Sequence, residues 1–243
     1  MTKPTPVPAS LRLAAVLGVA LAVLAAQSPN LSRARAARDH GDVAALQALA
    51  RDAGAAAAQA PAAGAYVSAA QINAWLCEAA LDRDQRSVCA QAAAAGAEAA
   101  RQAIALDGKS SEAYRLRGGL LGQLISTGGM QAAMQYGAEA TTDLDKAIAL
   151  DPSNARAYVS RSISEFYTPE EFGGSKAKAV ADLQKAVALD SKLDTPHLWL
   201  AQIDLASNQP APALREAEAA LKLDPNRVFA QYILAQARKA AGK

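Results

Sequence analysis

Histidine is nearly missing from this chain of 243 residues: His40 and His197 are the only two. Neither has a cysteine or second histidine at metal-ligand spacing, so the sequence offers no metal centre. Aromatic residues make up only 5%, and glycine and proline are sparse outside linkers. Alanine, the best intrinsic helix former, is abundant, and together these favour an all-α protein. Charge of one sign is also lacking, with 25 basic against 23 acidic residues. A near-neutral chain has no basic field to follow a phosphate backbone, so nucleic acid is not expected as a partner. Catalytic constellations are equally scarce. Ser175 and Lys178 spell an SxxK fragment, but no SDN or KTG companion exists and the fragment falls where a helix begins. The pairs Gly128-Gly129 and Gly173-Gly174 read as turn glycines rather than anion cradles. Asp143 and Asp145, two apart on one helix, point different ways and read as solvated. No enzyme activity and no cofactor is expected.

Cysteine is limited to Cys77 and Cys89, a spacing too long for a CxxC redox pair. The two flank a turn at 82–86 almost symmetrically. In an antiparallel helical hairpin such positions face each other near the closed end, where a disulfide fits if the chain is exported. The alternative is a pair of buried thiols in a small-residue interface.

Long hydrophobic runs are absent except near the start. Residues 1–26 form a segment with Lys3 and Arg12, then an uncharged run from Leu13 to Ala26. That run falls short of the roughly 20 apolar residues that span a bilayer but suits the h-region of a signal peptide. Cleavage is expected after Ala25 or Ala26, giving a periplasmic or secreted protein. The alternative is a retained N-terminal anchor in the inner membrane with the rest facing the periplasm. No cysteine follows the run, which excludes a lipoprotein. Residues 27–64 read as a helical pair with a linker, and 65–107 as a degenerate helix pair. Ser87 is the expected N-cap of the second helix there.

One phrase recurs through the chain. It reads Ala103-Ile104-Ala105-Leu106-Asp107, then Ala147-Ile148-Ala149-Leu150-Asp151, then Ala186-Val187-Ala188-Leu189-Asp190, then Ala220-Leu221-Lys222-Leu223-Asp224. Each copy closes an apolar-periodic stretch and precedes turn residues. The aspartates recur at about 44, 39 and 34 residues, a period that marks a helical solenoid. The segments after Asp107 resemble the tetratricopeptide-repeat family, whose 34-residue unit is two antiparallel helices with small residues at the contact and a closing proline. Asp194–Arg227 matches a full unit, with Ala201, Ala213 and Ala220 at the small positions and Pro225 closing. Earlier units place Ser162, Ala179 and Ala186 there, and before them Gly118, Ala140 and Ala147. Val228–Ala240 resembles a capping helix with Ala235 at the small position. Two units exceed the family length, and the surplus is expected as loops on one edge, at Leu124–Gln135 and at Thr168–Gly174. The resemblance implies a right-handed α-solenoid over 108–243.

The family's inner groove is lined by its first helices. Carried over, that register nominates Arg156, Val159, Ile163, Phe166 and Tyr167, with Leu198, Gln202 and Leu205 on the next unit and Tyr232 on the cap. Phe172, in the second lengthened turn, joins Phe166 and Tyr167 as an aromatic cluster suited to a binding hot spot. The positions that clamp a peptide carboxylate in some members hold Leu116, Ser160, Trp199 and Ile233, so that mode is not implied. The expected function is a non-catalytic scaffold of the cell envelope holding a protein or peptide in a concave groove. The alternative is a periplasmic binder of a small apolar solute, associated with a transporter. A homo-oligomer is a third expectation. The partner's identity is not readable from the sequence.

Overall fold

A computed structural model describes residues 30–242; the leader-like segment 1–26 lies outside them. Among the described residues every regular element is helical. Helix α1 covers 30–39. It is followed by α2 (Val43–Gln59), α3 (Ala63–Leu81), α4 (Arg86–Leu106), α5 (Ser111–Leu150), α6 (Ala155–Tyr167), α7 (Lys176–Leu189), α8 (Thr195–Ala206), α9 (Pro210–Leu223) and α10 (Val228–Ala240). Each helix packs on the next from α2 onward, and α3 also touches α5, α6 touches α8, and α8 touches α10. That pattern is a right-handed α-solenoid: first helices of successive units line one face and second helices the other. No helix among the described residues is long and apolar enough to cross a membrane.

The recurring phrase has a mechanical reason. Asp107, Asp151, Asp190 and Asp224 each cap a helix C-terminus in the same extended conformation, their N–H groups donating to Ala103, Ala147, Ala186 and Ala220. Each carboxylate then accepts from the backbone N–H two residues on, at 3.0, 2.9, 3.0 and 3.2 Å. The aspartate thus stops one helix and fixes the turn into the next. Ser110 and Asn154 start the following helices by accepting from Ala113 and Ala157 N–H.

The alanines of the phrase sit at the helix–helix contacts, where Ala147, Ala186 and Ala220 are fully buried. Gly118 is there for space: a Cβ would lie 2.8 Å from Leu144 Cγ and 2.9 Å from the Ala140 carbonyl oxygen. Ala235 is exposed instead, and the inward face of α10 is Ala230, Ile233 and Ala237. Ser87 is not the cap of α4: the helix begins at Arg86, and its N-cap, Gln85, has no side-chain cap hydrogen bond.

The surplus at 124–135 is not a loop. Helix α5 stays helical on both sides of one residue, Gly129, whose φ of 65° and ψ of −148° fold the helix back on itself. Leu, Gln, Ala and Met flank the break and favour helix, so the extra length lengthens both arms, and glycine supplies the positive φ. The surplus at 168–174 is a true connector: a 3-10 turn (Glu170–Phe172) closed by Gly173 in the left-handed region.

Candidate interaction surfaces

Helix α6 ends at Tyr167 because Thr168 turns extended ahead of Pro169. The Tyr167 ring is held edge-on by two others, Phe166 at 5.0 Å and Trp199 of α8 at 5.9 Å between centroids. Yet Tyr167 is 60% exposed and Phe172 is 67% exposed. Phe166 is half-buried against the core under α6–α8, as is Ile163. The repeat register puts Trp199 at a groove position, but not as the third ring of this cluster, because register alone does not say which rings touch. On the same two helices, Glu165 Oε2 and Gln202 Oε1 are buried oxygens without a hydrogen-bond donor among the described residues.

Other groove candidates divide by burial. Arg156 and Tyr232 are exposed, and Gln202 and Leu205 are half-buried. Val159 and Leu198 are buried core residues, Val159 beside Leu183 and Leu193, Leu198 beside Ala220 and Ala230. Neither presents a surface to a partner, because first helices here press their apolar sides inward against their own second helices. Tyr232 instead stacks with Phe229 at 6.5 Å.

Asp143 is not solvated. Its carboxylate is buried and takes a two-pronged pair of bonds from Arg117 on the facing arm of α5, both at 2.6 Å. Arg161 repeats the arrangement one unit later with Asp182, at 2.8 and 2.9 Å. Each guanidinium also lies over a tyrosine, Tyr114 at 5.9 Å and Tyr158 at 5.7 Å. In the next unit His197 takes the tyrosine's place and meets Glu216 at 2.7 Å. Asp145, the other half of the predicted solvated pair, bonds Arg161 at 3.0 Å from an exposed position.

Cys77 and Cys89 are joined by a disulfide across the α3–α4 turn. Close by, the two ends of the array meet. Arg227, in the turn before α10, is 2% exposed. Its guanidinium bonds Glu78 of α3 and lies 3.6 Å from both Asp39 of α1 and Asp194 at the start of α8. Arg38 completes the junction, pairing with Asp39 and approaching Asp224 to 3.8 Å. Burial alone would favour the neutral guanidine, but Glu78, Asp194 and Asp39 outweigh it and hold the charge. Asp82 at the rim is pushed up to about 6 by desolvation and by the neighbouring Glu78 charge.

These helix pairs, their small-residue contacts and their aspartate caps define a class: the fold is that of the tetratricopeptide-repeat proteins. Two solved structures carry the comparison. A thermophilic tetratricopeptide-repeat protein of Thermus thermophilus, TTC0263, superposes with a TM-score of 0.60 at 18% identity, over 87% of this chain and 98% of its own. The HusA haemophore from Porphyromonas gingivalis superposes with a TM-score of 0.52 at 22% identity, over 82% and 92%. No family profile and no curated protein matches the sequence.

Proposed function

We propose that this chain is a non-catalytic interaction scaffold of the cell envelope that captures a protein partner through the aromatic patch of Phe166, Tyr167, Phe172 and Trp199. The observation that carries this reading is Tyr167 itself. Its ring is fixed by two neighbours yet 60% exposed, so a large apolar surface is offered at little further cost in side-chain entropy. The envelope assignment draws on the leader-like 1–26 and on the Cys77–Cys89 bridge, since such bridges persist in oxidising compartments. The other reading, an enclosed apolar solute pocket, gains less: two clefts of about 390 and 280 Å³ are open and have charged walls.

The test is co-purification from the native envelope, read by mass spectrometry, with Tyr167→Ala and Phe172→Ala beside the unaltered protein. Loss of one specific partner with helical content and melting unchanged is the expected result. Equal capture by both variants, or a large drop in stability with capture retained, would reduce the aromatics to packing.

A further inference from the structure

The inner face carries a second site, formed where four first helices converge. Leu31, Ser32 and Arg35 of α1, Val67, Ser68, Gln71 and Trp75 of α3, Glu112 of α5 and Arg156 of α6 line one cleft of about 280 Å³. That volume lies just under the range of about 300–1,000 Å³ for drug-sized ligands, so the natural occupant is small. One wall is apolar, made by Leu31, Val67 and the Trp75 ring. The Arg38 guanidinium lies over the Trp75 ring, 5.4 Å from its centroid, and holds it in place.

The charges of the cleft do not cancel. Glu112 is committed to Arg115, which bonds both its oxygens at 2.8 and 2.7 Å. Burial would raise the Glu112 carboxyl, but Arg115, Arg156 and the Asn154 amide outweigh it and hold it below the usual carboxylate range, so it is ionised and neutralises Arg115. Arg115 also donates to Gln71 Oε1 at 2.7 Å, which fixes that amide against the cleft. What remains is Arg35 and Arg156, on different helices, with no carboxylate at ion-pair distance among the described residues. With Glu112 the one carboxylate facing Arg35, Arg115 and Arg156, the cleft is net positive beside an apolar wall, which complements a molecule with one anionic head and an apolar body. We infer that this cleft binds a small amphipathic carboxylate, the head between Arg35 and Arg156 and the body along Leu31, Val67 and Trp75. The site is independent of the aromatic patch and of the partner proposed for it.

Octanoate is a suitable probe, with 1-octanol and inorganic phosphate as its separated halves. Binding to the purified protein is followed by calorimetry and by the indole N–H signals in NMR, with Trp199→Phe assigning which signal is Trp75. Octanoate is expected to shift the Trp75 signal saturably and leave Trp199 still. Octanol and phosphate should each bind at least about tenfold more weakly. Arg35→Gln and Arg156→Gln should each weaken octanoate by about tenfold, with melting unchanged because both side chains are exposed. No saturable shift of Trp75, phosphate equal to octanoate, or full affinity in the double variant would each overturn the site. Tyr167→Ala should leave octanoate binding intact, so failure of the partner reading and failure of this one are told apart.

Discussion

Two helical turns before each of the last three capping aspartates stands an acid: Asp143, Asp182 and Glu216. Their recurrence is visible in the sequence, but their partners are not, because Arg117 lies on an antiparallel arm whose register only the folded elbow of α5 sets. Two aspartates two residues apart therefore look alike and differ sharply. Asp143 has a side chain 3% exposed beneath a two-pronged arginine, whereas Asp145 is 59% exposed. Asp143→Ala leaves the part-buried Arg117 only the half-exposed Glu139, 3.4 Å away, and is expected to cost about 3 kcal/mol. Asp145→Ala removes a solvent-screened pair and should cost less than about 1 kcal/mol. Urea unfolding of the two variants checks the contrast; equal losses would show that burial does not set the difference.

The elements themselves were legible wherever a local rule applies. Proline, the Asp caps and the alternation of small and bulky apolar residues gave the ends of α2, α4, α7 and α9, and the all-α class followed. The elbow of α5 was not legible, because a glycine pair inside strong helix formers fits either a loop or a single reversed residue. Nor does the apolar register of a first helix separate groove from core: it points to Val159 and Leu198 for the groove, though both are buried. Gly118 tests the packing of the elbow. Gly118→Val places carbon against the Ala140 carbonyl oxygen, backbone that cannot rotate away. It is expected to destabilise by about 1–3 kcal/mol through overpacking, read from the urea midpoint. A neutral result would mean that the arms of α5 separate freely.

At the scale of the whole molecule, the sequence carried the solenoid but not its curvature, which is the sum of small rotations spread over every contact. The meeting of Arg227 with Glu78 across a sequence separation of 149 is a product of that sum. In an open array of repeats the terminal units lose neighbours on one side, and local unfolding starts there and runs inward. Here α1 and the turn leading into α10 share one cluster of Arg38, Asp39, Asp194 and Arg227, all buried or nearly so. Lifting the turn before α10 takes Arg227 away from Glu78, Asp39 and Asp194 at once, and lifting α1 takes Asp39 from Arg227 and exposes the buried Arg227 side chain, so independent fraying is costly. Amide exchange in α1 and α10 is therefore expected to be slow and matched, near the rate of α6. Arg227→Met should release both ends together while α6 keeps its protection; fast, unequal exchange at the two ends of the unaltered protein would show that the clasp does not hold. A string of repeats unravels from its ends, and a clasped one has no end from which to begin.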